Sequence, residues 1–98
     1  MSADNGVYIL TTSTDDGGFE HRVTHAQAID NIEYDPDYEQ FNKKELILYF
    51  GNCIVHTDIS DAEKEAYSIY EELIDNGYIV EYGICYIDAR DITFPSQN

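Results

Sequence analysis

Ser60 to Gly77, SDAEKEAYSIYEELIDNG, is the stretch whose reading decides the fold. Ala62, Ala66, Ile69, Tyr70 and Leu73 recur at i, i+4, i+7, i+8 and i+11, the apolar stripe of an amphipathic helix, and Tyr67 and Ile74 widen it. Ser60 and Glu63 have the spacing of a capping box, in which each side chain accepts from the other's backbone N–H. Asn76-Gly77 supplies the stop, because glycine enters the left-handed region without a Cβ penalty. Opposite the stripe, Asp61, Glu65, Glu72 and Asp75 fall on one line, with Ser68 between them and Lys64 as the only base of the helix. Like charges four residues apart cost about 0.2–0.5 kcal/mol each, so the row slightly weakens the helix that carries it.

Working outward, Gly6–Ser13 (GVYILTTS) and Phe19–His25 (FEHRVTH) read as strands, and the Asp and Gly residues of Thr14–Gly18 suit the turn of a hairpin. Ala26–Ile32 suits either a helical turn or a longer second strand. Asp30–Glu39 (DNIEYDPDYE) holds five acids, two tyrosines and no base, and Pro36 breaks any helix there, so a loop is expected. Asn42 and Glu45 cap a short helix onto which Phe41 staples Leu46, although Lys43 and Lys44 oppose its macrodipole. Cys53–Thr57 reads as a short strand, and Tyr78–Ala89 (YIVEYGICYIDA) as the longest one. That last strand is apolar on both faces, which predicts a central place in its sheet, and residues 90–98 are expected to be irregular. The assembled expectation is one α+β domain over residues 1–98. It has a single antiparallel or mixed sheet of about four strands, with one long and one short helix on one face and tyrosines on the other.

Composition bounds the partners. Twenty acids against five bases give a net charge of −15, with a sequence pI near 4.1. Hydrophobic residues make up 43% and aromatics 13%, too much for a disordered chain even at that charge. Such a field repels nucleic acid and anionic membranes, draws in basic protein surfaces and favours a monomer. Cys53 and Cys85 lie within apolar runs, with no leader or span of about 20 apolar residues beside them. Reduced thiols in a cytoplasmic protein are therefore expected, with a cross-strand disulfide as the alternative.

Catalytic and metal chemistries find little support. His21 and His25 have an H-x3-H spacing, but on a strand four residues at about 3.3 Å each put the rings roughly 13 Å apart, too far to share zinc. Asp35-Pro36-Asp37-Tyr38-Glu39 alternates oxygen ligands as calcium loops do, yet lacks the turn glycine and the bidentate Glu of an EF-hand. Cys53 and His56, three apart on a strand, fall on opposite faces, and no glycine-rich phosphate cradle is present. No enzyme and no cofactor is expected. The acid surface remains, with a solubility coat or halophilic surface as its bland explanation. Its functional reading is a row of carboxylates that occupies a Lys/Arg-lined DNA groove. The stripe Asp61 to Asp75 spans roughly 21 Å at about 1.5 Å per residue. The candidate partner-binding residues are Asp61, Glu65, Glu72 and Asp75 on the helix, with Asp30, Glu33, Tyr34, Asp35, Asp37, Tyr38 and Glu39 in the loop.

Four strings, Ala3-Asp4-Asn5-Gly6-Val7-Tyr8-Ile9-Leu10, His25-Ala26-Gln27-Ala28-Ile29-Asp30-Asn31-Ile32, Tyr49-Phe50-Gly51-Asn52 and Glu81-Tyr82-Gly83-Ile84, carry a resemblance. Over most of its length the chain resembles a group of short acidic proteins encoded by bacteriophages and prophages, similar in character to anti-CRISPR inhibitors of host defence. The resemblance implies a DNA mimic acting in the host bacterial cytoplasm on the basic DNA- or PAM-binding channel of a CRISPR effector complex. It carries over no site residue. The competing expectation is a non-catalytic regulatory domain that binds a protein through the tyrosine-rich sheet face, Tyr82 and Tyr86 above all.

Overall fold

The computed structural model describes residues 5–27, 34–35, 40–41, 47–48, 50–80 and 83–94. The expected hairpin is present: β1 (Asn5–Ser13) and β2 (Phe19–Gln27) pair antiparallel, with Ile9 opposite Val23 and Ser13 opposite Phe19. Thr14 closes its turn, accepting from Gly17 N–H at its carbonyl and from Gly18 N–H at its hydroxyl. β3 (Tyr34–Asp35) and β4 (Gln40–Phe41) form a separate two-residue antiparallel ribbon. The chain then enters α1 (Ile59–Asp75) and β5 (Ile84–Thr93), which runs parallel to β1. The main sheet is thus mixed and three-stranded, in the order β2-β1-β5, where about four strands are expected.

Several expectations are corrected. The last strand does not start at Tyr78: Gly83 turns the chain at φ +64°, a conformation costly for any residue with a Cβ, and its N–H bonds Val80 O at 3.2 Å. Nor does it stop at Ala89, since β5 continues to Thr93 and Phe94 is buried behind it. β5 is an edge strand, and β1 is central. The burial of β5 is one-sided: Ile87, Ala89 and Ile92 pack on the face away from α1, while on the helix side Ile84 is half-buried and Tyr86 is 60% exposed. Cys53–Thr57 is not a strand; His56 alone bridges to His21, exchanging two backbone hydrogen bonds of 2.8 Å.

On one face Ala62 and Ala66 bring α1 close against Val7, Ile9 and Val23, flanked by Ile69, Tyr70, Leu73 and Ile84. The opposite face buries Tyr8, Leu10, Phe50, Ile87, Ala89, Ile92 and Phe94, with Ile47 packed against them. The helical residues 47, 48 and 50 therefore belong to the face away from α1, and the expected pairing of both helices on one face does not occur. The remainder of that expected short helix, residues 42–46 and 49, lies outside the described residues. Complete burial of Ile9, Leu10 and Phe50 stabilises the fold by about 1.5–3 kcal/mol each.

α1 begins two residues earlier than expected. Asp58, extended at φ −113° and ψ 126°, is the N-cap, and its Oδ1 accepts from Ser60 N–H at 2.9 Å. Ser60 therefore does not cap, and Glu63 points elsewhere. The far end closes as expected on Gly77 at φ +85°: Gly77 N–H donates to Ile74 O and Tyr78 N–H to Leu73 O, both at 3.0 Å, the two bonds of a Schellman motif.

Candidate partner-binding site on the acidic helix

α1 carries six acids, Asp61, Glu63, Glu65, Glu71, Glu72 and Asp75, against Lys64. Because Ala62, Ala66 and Leu73 turn to the sheet, the Asp61–Asp75 line faces away from it, and Asp61, Glu72 and Asp75 are exposed. Three acids, Glu71, Glu72 and Asp75, crowd the C-terminal end, which holds no base. Negative charge there opposes the macrodipole, so helix stability does not account for it.

Glu65 belongs to the row in sequence but not in environment. Its Oε1 accepts from His56 Nε2 at 2.6 Å, and the pair is about four-fifths buried. A carboxylate only accepts, so Nε2 carries the proton in this contact. His56 in turn is held by its backbone bridge to His21, whose Nδ1 lies 2.8 Å from the Thr11 hydroxyl. Glu65 thus ties the segment before α1 to the helix. On the other flank the Tyr86 hydroxyl donates to Glu63 Oε2, and that carboxylate holds the phenol proton above its usual range.

Tyr34 and Asp35 sit in β3, while Asp30, Glu33, Asp37, Tyr38 and Glu39 lie outside the described residues, as does Tyr82 of the competing expectation. The helix acids are therefore the part of the candidate set with a described geometry. Among the described residues no tyrosine lies on an open face of the sheet away from α1: Tyr8 is buried with Phe50 and Phe94, and Tyr86 projects on the helix side. There, Tyr67 and Tyr86 are each 60% exposed and, with Tyr70 and Glu63, line a groove of about 580 Å³ between α1 and β5. Sequence reading places Tyr67 and Tyr70 in the core stripe and misses this groove. The available signal is Glu63, Tyr67 and Tyr70 at i, i+4 and i+7, one flank of the helix.

Both described arginines are paired with acids. Arg22 is buried, paired with Glu20 at 3.3 Å and stacked 4.3 Å above the Phe94 ring. Arg90 forks onto Asp88 with two bonds of 2.9 Å, and the Arg90 contact holds the Asp88 carboxyl below its usual range. Lys64 and the paired Arg90 are the exposed Lys and Arg side chains among the described residues.

His21 is buried rather than an exposed strand histidine. No three His, Cys, Asp or Glu side chains among the described residues are grouped to hold a metal ion. Both cysteines are thiols, and burial pushes each above its ordinary pKa, which disfavours the nucleophilic thiolate. No described helix is long and apolar enough to cross a membrane. Comparison with family models, curated proteins and solved structures finds no match to this chain.

Proposed function

We propose that the chain is a non-catalytic, phage- or prophage-encoded inhibitor of host defence, an acidic mimic of DNA. It docks on the Lys/Arg-lined DNA- or PAM-binding channel of a CRISPR effector complex in the host bacterial cytoplasm. The observation that carries this reading is the solvent-facing row Asp61, Glu72 and Asp75, held on a helix whose core packing rigidifies it. The concentration of acid at the negative end of α1, where it weakens the helix, supports a use outside the fold.

A pull-down from bacterial lysate, followed by competition with duplex DNA, tests the reading. A captured nucleic-acid-binding protein should be released by DNA, and capture should weaken steeply as salt rises. The double change Glu72→Lys with Asp75→Lys should abolish capture and leave the fold intact. Capture that persists in half-molar salt with DNA already bound overturns the proposal.

A further inference from the structure

We propose that the groove between α1 and β5 is a receptor for an arginine side chain of the basic partner, seated among the Tyr67, Tyr70 and Tyr86 rings with its guanidinium on the Glu63 carboxylate. The inference rests on the reading that the partner is basic and names what that partner inserts.

The groove is built before any ligand arrives. Tyr67 and Tyr70 meet edge to face, ring centres 6.4 Å apart at 63°, which sets their mutual orientation. The Tyr86 hydroxyl bonds Glu63 and so steadies both ring and carboxylate. Ile9 and Ile84 form an apolar floor, and Gly83 borders the groove without a side chain. The volume of about 580 Å³ admits a long side chain together with the backbone that bears it.

The chemistry selects a cation. Aromatic faces are the negative poles of their rings and attract a cation set within about 6 Å. An apolar occupant would strip water from Glu63 and return nothing to its charge. One bond from Tyr86 leaves most of the roughly four acceptor positions of that carboxylate for a ligand. The arrangement favours arginine over lysine. A guanidinium is planar, stacks on aromatic rings, sheds water more readily and forks onto a carboxylate with two N–H groups. At net charge −15 the surroundings add a long-range pull of the same sign.

The test is a titration of the whole chain with the peptide acetyl-Gly-Arg-Gly-amide, followed by NMR of the tyrosine rings. Acetyl-Gly-citrulline-Gly-amide, of the same shape without the charge, is the control. The expected result is saturable shifts at Tyr67, Tyr70 and Tyr86, smaller ones at the exposed Tyr78, and none that saturate with citrulline. Glu63→Gln keeps the shape and should weaken arginine binding about tenfold, the usual worth of one charge-assisted contact. Tyr67→Ala, at an exposed position that the core does not need, should do the same. Equal shifts with citrulline, equal shifts at Tyr78, or no saturation overturn the proposal. Its failure is separable from that of the DNA-mimic reading. If Glu72→Lys with Asp75→Lys loses partner capture while the rings ignore arginine, the groove alone is overturned. If arginine seats and the double variant captures unchanged, the groove stands and the mimic falls.

Discussion

Two residues under the surface carry charge chemistry that the sequence gives no hint of. Burial pushes the His21 pKa down, the charge of Asp58 pulls it up, and His56 pushes it down again. Because the folded value is the lower one, the unfolded imidazole takes its proton first, near pH 6.5. The contribution of neutral His21 is therefore complete above that pH and is lost as pH falls through the folded value. A melting temperature that drops between pH 7 and pH 5.5, and drops less in His21→Gln, is the expected outcome. Arg22 raises a different question. Its Nε is buried without a hydrogen-bond partner, so the charge is incompletely compensated even though the guanidinium stands over the Phe94 ring. An apolar side chain of similar length removes the buried, unpaired Nε and still fills the space beside Phe94, at the loss of the cation–π attraction. Denaturant titration should find Arg22→Met as stable as the parent or more so, and Arg22→Ala weaker by about 2–4 kcal/mol through the cavity it leaves.

α1 shows how two local signals compete within one element. Asp58 and Ser60 are equally good N-caps on intrinsic preference, and the capping box drawn from Ser60 to Glu63 is chemically sound. Asp58 wins where the chain arrives extended and Glu63 is engaged by Tyr86, a strand residue 23 positions away. Thermal melts should therefore lose about 0.5–2 kcal/mol of stability in Asp58→Ala and under about 0.5 kcal/mol in Ser60→Ala. The C-terminal half offers the opposite sign. Each Lys placed at Glu72 or Asp75 relieves like-charge repulsion and complements the macrodipole, for a gain of about 0.3–1 kcal/mol. The variant proposed to abolish partner capture is thus expected to melt higher than the parent. A melt below the parent would mean that these carboxylates serve the fold itself.

At the scale of the whole molecule, charge and core act against each other. A net charge of −15 destabilises the compact state by self-repulsion, and a sheet buried on both faces offsets it. Raising salt from about 0.01 M to 0.15 M shortens the Debye length from about 30 to 8 Å. The melting temperature should rise over that range even as partner binding weakens, two opposite responses from one field. Much was legible in the sequence: the β1–β2 hairpin, the span of α1, its Schellman stop and the exposed line through Asp61, Glu72 and Asp75. These follow from period, turn chemistry and charge, which act between residues a few positions apart. Sheet order, the second covered face, the burial of Arg22, the His56–Glu65 and Glu63–Tyr86 contacts and the tyrosine groove were decided only in three dimensions. The reason is physical. A strand with apolar residues on both sides looks the same whether it is central or at an edge with one side half open, and a helix flank shows no pocket until a distant strand is laid against it.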